Sequence, residues 1–412
     1  MSNKYSCNKD TVIRAYKELE SSHLVYSIPK SGYYVVDSES QKSLSKQQLI
    51  DFKTTLPDAR LLPYKEFNHS INKAINSYKH SLFTYGEVAG LMPLRETLNE
   101  LFWQSNIFTK PKNIFITSGV QQAINIFCSI AISKKQNILV EQPSYRLMQR
   151  IAEQNRNQVY GIKRDKNGID IKELEHLFKS KDIKFFYTIP RYHNPLGSSY
   201  SEKQKQQIVD LAKKHDVYIL EDDYLGDLAE NSKNQTLYSY DNNDKVIYLK
   251  SFSKSFMPGI RIGVAIIPKQ LQAKFTRLKR YDDINTSILA QGGLDIFIKN
   301  GMYYNHLKKI RAEYKSKMSY AISCLSQGLK NVNIIEADTG FFIWVSLPKE
   351  INVNKLELRL LNKKVLITPA KGFYLNQKTK ENSFRLCISA LSKQQIRYGI
   401  LTIISEIKQM NR

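Results

Sequence analysis

The chain lacks the sequence features of a membrane protein, a secreted disulfide-rich protein or a metalloprotein. No apolar run reaches the roughly 18 residues that span a bilayer, and the N-terminus lacks the apolar core of a secretory signal. The 412 residues include only four cysteines, and their positions fit neither a disulfide framework nor a metal site. We therefore expect a cytoplasmic protein that contacts no membrane and binds no metal.

Acidic residues are scarce relative to basic ones. The 62 Lys and Arg residues exceed the 38 Asp and Glu residues, which gives a formal net charge of +24. Such an excess favours binding to polyanions such as nucleic acid. The basic residues are spread along a chain that is rich in Lys, Asn and Ile throughout, so the compositional bias of an AT-rich genome is the alternative explanation.

The pattern of apolar runs predicts an α/β protein with several domains. Residues 38–50 are polar and rich in Ser, Lys and Gln, which is typical of a linker. They separate a small segment, residues 1–37, from a body in which short apolar runs alternate with amphipathic helices. This alternation predicts a mostly parallel sheet flanked by helices over 51–285, then a helix and a small α+β domain over 286–412. The candidate strands of the sheet are Ile114–Thr117, Asn137–Val140, Lys184–Tyr187, Val217–Leu220, Val246–Leu249 and Val264–Ile267.

The loop after the candidate strand Val246–Leu249 combines an amine with groups that suit a phosphate. The hydroxyls of Ser251 and Ser253 precede Lys254, and Arg261 follows it beyond a Pro-Gly turn. Hydroxyls and a guanidinium group bind phosphate, and a lysine amine forms an imine with an aldehyde. The obvious compound with both an aldehyde and a phosphate is pyridoxal 5′-phosphate (PLP), which we predict as the cofactor. The alternative is a solvated lysine in a Ser-rich loop.

Polar residues also follow the other candidate strands, at the edge where an open α/β sheet binds its ligands. The corner Gly119-Val120-Gln121 offers backbone N–H groups to a phosphate. Asp222 would keep a pyridine nitrogen protonated, although paired acids also cap helices and solvate loops. The remaining side chains near the ring would be Tyr145, stacked on its face, and Asn194 and Tyr224, at its phenolate oxygen. An ordinary core or surface tyrosine is the alternative for Tyr145.

Arg385 lies inside an apolar run, Ser383–Ile388. A lone arginine in such a run is costly unless an anion pairs with it. That anion would be either the carboxylate of a bound amino acid or an internal Asp or Glu.

Together these residues resemble the fold-type I aminotransferases, and the resemblance extends over nearly all of residues 51–412. It implies that Lys254 forms the Schiff base with PLP and that Arg385 grips the α-carboxylate of the substrate. Tyr85 matches the family tyrosine that reaches the phosphate across a dimer interface, so the resemblance implies a homodimer with shared active sites. The catalytic groups would be Lys254, Asp222 and Tyr224.

The N-terminal segment predicts a helix over residues 8–22 with Asn8 as N-cap, followed by two short strands around a basic turn. It resembles the second half of a GntR-type winged helix, in which a recognition helix and a wing contact double-stranded DNA. The family's first helix and most of its second should precede Tyr5, so we expect a partial winged helix. An ordinary helix and hairpin attached to an enzyme is the alternative. The DNA-binding residues would be Lys9, Thr11, Arg14 and Lys30.

A winged helix joined through a linker to a fold-type I aminotransferase body is the architecture of the MocR/GabR-type transcriptional regulators, which this chain resembles. The resemblance implies a DNA-binding regulator that senses PLP, or an amino-acid effector through an external aldimine. The alternative function is an aminotransferase that moves an amino group from an amino acid to a 2-oxo acid. Because the groups needed for transamination are all present, the sequence leaves turnover open.

Overall fold

The computed structural model describes residues 8–21, 25–28, 32–35, 49–133, 135–156, 158–229, 234–329, 332–375 and 381–410. The chain divides into two compact units, Met1–Gln48 and Leu49–Arg412. We call the second unit the body. Within the described residues, no helix is both long enough and apolar enough to cross a membrane.

The N-terminal unit contains one helix, α1 (Lys9–Ser21), and an antiparallel hairpin of β1 (Val25–Ile28) and β2 (Gly32–Val35) among its described residues. Asn8 caps the helix as predicted, because its Oδ1 accepts a hydrogen bond from the Asp10 N–H at 3.3 Å. The helix and hairpin are joined by side chains, since Tyr16 stacks on Tyr33 with ring centroids 4.4 Å apart. The predicted DNA-binding residues Lys9, Thr11 and Arg14 are exposed on α1, whereas Lys30 lies outside the described residues.

The helices of the body flank its sheets and connect successive strands. They are α2 (Tyr64–Tyr78), α3 (Met92–Trp103), α4 (Val120–Ile132), α5 (Arg146–Gln154), α6 (Ile171–Ser180), α7 (Glu202–Lys214), α8 (Phe252–Ser255), α9 (Lys269–Asp283), α10 (Ile288–Lys299), α11 (Met302–Gly328), α12 (Val353–Asn362) and α13 (Lys393–Met410). The predicted helix Glu202–Lys214 is confirmed with its cap, because Ser201 Oγ accepts a hydrogen bond from the Gln204 N–H at 3.3 Å.

Among the described residues the body has one large sheet and two small ones. The strands are β3 (Ile50–Asp51), β4 (Ile114–Thr117), β5 (Asn137–Gln142), β6 (Val159–Asp165), β7 (Gly168–Ile169), β8 (Ile183–Thr188), β9 (Tyr218–Asp223), β10 (Val246–Ser251), β11 (Gly263–Ile266), β12 (Asn333–Ile335), β13 (Phe342–Ser346), β14 (Val365–Leu366), β15 (Thr368–Pro369) and β16 (Ser383–Cys387). The large sheet has the order β4-β11-β10-β9-β8-β5-β6-β7. A second sheet has the order β12-β13-β16-β15, and β14 pairs with β3.

The large sheet is mostly parallel, as predicted. Strands β10, β9, β8, β5 and β6 pair in parallel, while β11 pairs antiparallel with both β10 and β4. Every residue of β9 and β10 is buried, which is typical of a sheet covered by helices on both faces. The carboxyl ends of β8, β9 and β10 therefore meet at one edge, and the candidate site lies there.

Candidate cofactor site

A cavity of about 210 Å³ lies at the carboxyl edge of the large sheet, beside the N-terminus of α4. Its wall brings together residues that are far apart in the sequence and that were predicted to contact a cofactor. These are Gly119, Val120, Gln121, Tyr145, Asn194, Asp222, Tyr224, Ser251, Ser253, Lys254 and Arg261.

Lys254 occupies the short helix α8, directly after β10. Ser251 caps this helix, because its Oγ accepts a hydrogen bond from the Ser253 N–H at 3.2 Å. The Lys254 Nζ donates to the Thr55 carbonyl at 2.8 Å. Burial lowers the pKa of the Lys254 amine, with a further lowering from the nearby cations Arg385 and Arg261, although Cys387 and Asp222 oppose it. A lower pKa increases the fraction of neutral amine, which is the nucleophilic form.

Asp222, near the end of β9, is a buried carboxylate that is only half satisfied. Its Oδ2 accepts a hydrogen bond from the Tyr187 hydroxyl at 2.6 Å. Its Oδ1 has no hydrogen-bond partner among the described residues. Burial raises the pKa of Asp222 to about 7, against the lowering effect of the Tyr187 hydrogen bond. An unpaired carboxylate oxygen on the wall of a cavity suits the N–H of a protonated ring.

The phosphate end of the cavity depends on two glycines. Gly119 has a φ of +80°, and a Cβ there would lie 2.7 Å from Arg261 Nη2. A Cβ on Gly263 would lie 2.6 Å from the Val120 nitrogen. Arg261 itself donates to the Ser118 carbonyl at 3.3 Å, next to the first turn of α4. The glycines thus leave room for a guanidinium group and a helix N-terminus to face the same anion.

Asn194 is oriented by a hydrogen bond from a second predicted residue. Its Oδ1 accepts from Arg385 Nη1 at 3.0 Å, which leaves the Nδ2 donor for a ring oxygen. The turn that carries Asn194 rests on the fully buried Glu141, whose Oε2 lies 3.1 Å from His193 Nε2. Burial lowers the pKa of His193 to about 4, and the neighbouring Arg164 contributes to this lowering.

Tyr224 differs from its prediction in one respect. It lines the cavity, but its hydroxyl donates to the Tyr192 carbonyl at 2.6 Å. The proton of this hydroxyl is therefore engaged by the backbone rather than available to a ring oxygen. Tyr145 also lines the cavity, and Gln121 Nε2 lies 3.5 Å from its hydroxyl.

Arg385, in β16, is 5% exposed. Its guanidinium carbon lies 4.6 Å from the centroid of the Phe342 ring, and its Nη2 donates to the Lys53 carbonyl at 2.9 Å. Its Nε has no partner among the described residues. The hydrogen bonds of Arg385 go to carbonyl oxygens rather than to an internal acid, so the side chain retains a donor for an anion.

Tyr85 lies outside this cavity. It is 83% exposed and lines a separate open pocket together with Phe83 and Asn285. Its predicted contact with the phosphate involves a second subunit, and that contact stays a prediction.

The structure adds a segment that side-chain patterns missed. The residues just after the linker, 53–58, form what we call the lead-in segment, and Thr55 and Leu56 line the cavity. Besides the Lys53 and Thr55 carbonyls, the Leu56 carbonyl accepts a hydrogen bond from Ser389 Oγ at 2.6 Å. The run Leu56-Pro57-Asp58 was the available signal, but it does not disclose these backbone contacts.

Comparison with known proteins agrees with this geometry. The model of the family described as aminotransferase class I and II matches residues 58–403. The chain belongs to this family. Its body also resembles the crystal structure of a kynurenine aminotransferase from Pyrococcus horikoshii, with a TM-score of 0.82 and 27% identity over 89% of this chain and 92% of that one. The α-aminoadipate aminotransferase LysN of Thermus thermophilus shares the fold, with a TM-score of 0.80 and 24% identity over 88% and 93% of the two chains.

Two relatives match the family body and the N-terminal unit together. One is the uncharacterised HTH-type transcriptional regulator YcxD of Bacillus subtilis, which is 41% identical over 99% of this chain and 93% of that protein. The HTH-type transcriptional regulator NorG of Staphylococcus aureus is 27% identical over 99% of this chain and 98% of that protein. The predicted MocR-type architecture is therefore confirmed.

PLP as cofactor is confirmed at the level of the family, and the residues present fit it. The unpaired Asp222 oxygen suits its ring nitrogen, and the cradle at Gly119 suits its phosphate. The Lys254 amine on the same cavity wall suits its aldehyde.

Proposed function

We propose that the protein is a MocR-type transcriptional regulator whose N-terminal unit binds double-stranded DNA and whose body binds PLP and an amino-acid effector. The observation that carries this proposal is the course of the chain after the linker. The first residues of the body lead into the wall of the cavity, where Thr55 and Leu56 contribute to its lining. In our proposal a change at the cavity acts on this segment, which follows the linker in the sequence.

When bound, PLP supplies an aldehyde that reacts with primary amines and a ring that withdraws electrons. In our proposal Arg261, the Ser251 and Ser253 hydroxyls and the first N–H groups of α4 bind its phosphate. Asp222 holds a proton at the ring nitrogen through Oδ1, and Asn194 donates to the ring oxygen. Lys254 supplies the amine.

Arg385 would bind the α-carboxylate of the effector. Its side chain is held between Phe342 and Phe373, whose ring centroids lie 4.6 and 5.1 Å from the guanidinium carbon. This packing fixes the guanidinium group before a ligand binds, which reduces the entropy cost of binding.

The lead-in segment would couple the cavity to the linker. Its Lys53 and Thr55 carbonyls accept hydrogen bonds from Arg385 and Lys254, the two side chains that a ligand and the cofactor would engage. Its far end is anchored, because Lys317 Nζ donates to Asp58 Oδ2 at 2.7 Å in a buried ion pair. Ligand binding would weaken the first two hydrogen bonds while the anchor holds. An effector that favours one arrangement of the segment then shifts the population of the regulator.

A homodimer belongs to the same proposal. Large aromatic side chains are exposed at the pocket that Tyr85 lines, with Phe83 at 65% and Tyr85 at 83% exposure. Clusters of this kind are typical of interfaces between subunits. Each Tyr85 would then reach the phosphate in the other subunit.

The test is a titration of the full-length protein with DNA from upstream of its own coding sequence, at low salt, with and without PLP. We expect specific binding, and Arg14→Ala should weaken it and reduce the slope of log K against log salt by about 1. Lys408→Ala, an exposed lysine in α13, is the matched control and should leave both unchanged. Absence of binding in both conditions would contradict the proposal.

A second candidate function is catalysis as an aminotransferase. It is favoured by Lys254 and Asp222 facing one cavity, with burial lowering the pKa of the lysine. Purified protein mixed with amino acids and a 2-oxo acid decides between the two. Sustained multiple turnovers without affinity for DNA would establish the enzyme, whereas DNA binding without turnover would establish the regulator.

A further inference from the structure

Tyr187 is a fully buried residue of β8. Its hydroxyl donates a hydrogen bond of 2.6 Å to Asp222 Oδ2. Because β8 and β9 are paired in parallel, with Tyr187 opposite Leu220, the backbone fixes the two side chains relative to each other. Tyr187 does not itself line the cavity.

The two Asp222 oxygens differ in their hydrogen bonding. Oδ2 accepts the hydrogen bond from Tyr187, whereas Oδ1 is buried without a partner among the described residues. A carboxylate held by one oxygen cannot rotate freely, so its other oxygen keeps a constant direction. A donated hydrogen bond also stabilises the ionised form over the neutral one.

We propose that Tyr187 is a positioning residue that acts through Asp222, holding its carboxylate ionised and its free oxygen directed at the ring nitrogen of PLP. The inference rests on the PLP site proposed above. It assigns to Tyr187 a role that core packing alone would not give.

The neighbouring strand offers a matched control. Tyr248 is also buried, and its hydroxyl donates at 2.7 Å to Asp223 Oδ2, one residue along β9. Asp223 is paired with Arg191 and faces away from the PLP cavity, toward another one. Tyr248→Phe thus removes the same atom from the same kind of contact without touching Asp222.

The experiment is a pH titration of the visible absorbance of the PLP-loaded full-length protein. Tyr187→Phe removes one hydrogen-bond donor and raises the proton affinity of Asp222, so the PLP ring carries less positive charge. The group attached to the ring that takes up the titrating proton then becomes more basic. We expect the midpoint pH of the absorbance change to move upward by about 0.7 pH unit, the equivalent of one hydrogen bond. Tyr248→Phe should leave the midpoint in place.

A double variant separates a positioning role from a general loss of packing. In the Asp222→Asn background, adding Tyr187→Phe should produce no further shift, because the residue acts through the carboxylate. An unchanged midpoint in Tyr187→Phe, an equal shift in Tyr248→Phe, or a full shift in the Asp222→Asn background would each overturn the inference. If the wild-type protein shows no visible absorbance with PLP, the cofactor site itself is wrong.

Discussion

Asp222 and Asp223 are adjacent in β9, point to opposite faces of the sheet and have opposite hydrogen-bonding environments. Asp223 is satisfied on both oxygens, because Arg191 Nε donates to Oδ1 at 2.9 Å and the Tyr248 hydroxyl donates to Oδ2. Asp222 has one hydrogen bond and one oxygen without a partner among the described residues. One step along a strand thus separates a carboxylate that stabilises the fold from one that is kept available for a ligand.

Two lysines near the end of β10 offer the largest test of this comparison. Lys254→Ala should abolish the visible absorbance of the PLP-loaded protein, because the amine that reacts with the aldehyde is removed. Lys250 lines a second cavity, the one that Asp223 faces, and its Nζ lies 2.5 Å from Asp227 Oδ1. Lys250→Met should retain the absorbance but lower the free energy of unfolding by about 3 kcal/mol, since Asp227 loses its cation. Absorbance retained in Lys254→Ala would refute the assignment of the site.

Substitution of Asp222 should affect mainly the affinity for PLP, and substitution of Asp223 mainly the free energy of unfolding. Asp222→Asn should raise the dissociation constant for PLP by about 10- to 100-fold, because a charge-assisted hydrogen bond is lost. Asp223→Asn should leave that constant nearly unchanged and lower the free energy of unfolding by about 3 kcal/mol. The measurements are PLP titration and urea unfolding of both variants. Equal losses of affinity in the two variants would contradict the division between the faces.

The comparison also predicts a pH dependence in the protein without cofactor. Burial raises the pKa of Asp222 to about 7 in the folded state, from its ordinary value of 3.8. Its contribution to stability is present below pH 4 and is lost as the pH rises toward 7, because the unfolded state ionises first. Asp222→Asn should therefore raise Tm by about 5 °C at pH 8 and have little effect at pH 4. Thermal unfolding across this range checks the sign, and a uniform shift at all pH values would contradict it.

The smallest expected effect concerns a single methyl group at the phosphate end. Gly119→Ala adds a Cβ 2.7 Å from Arg261 Nη2 at a φ of +80°, and should weaken PLP binding by about 10-fold. Gly259→Ala is the control in the neighbouring turn, since a Cβ there meets no heavy atom within 4 Å. Similar dissociation constants for the two variants would show that the phosphate does not occupy this cradle.

Much of the large sheet could be predicted because buried parallel strands leave a plain apolar signal. The candidate strand Ile114–Thr117 coincides with β4, and Val246–Leu249 lies within β10. Strand β6 was missed because its sequence, Val159–Asp165, mixes polar and apolar residues and its burial is uneven. The role of Tyr187 was also missed, because in the sequence it is one more apolar residue of a buried strand. Only the structure shows its hydroxyl beside Asp222.

The site residues were predictable where side chains carry the chemistry. Lys254, Asp222 and Arg261 follow from local motifs at the ends of strands, and all three line the cavity. The hydroxyl of Tyr224 was predicted to contact a ring oxygen, but it donates to the carbonyl of Tyr192, a residue that the fold brings next to it. The lead-in segment was missed because a backbone acceptor is common to every residue type and leaves no pattern in the sequence.

That last feature has a consequence for mutational tolerance. The carbonyls of Lys53, Thr55 and Leu56 serve as acceptors whatever side chains are attached to them. An alanine scan would therefore pass through these positions without disturbing the three hydrogen bonds. Insertion or deletion of one residue would displace all three at once. The three hydrogen bonds therefore depend on the number of residues in this segment and not on which residues they are.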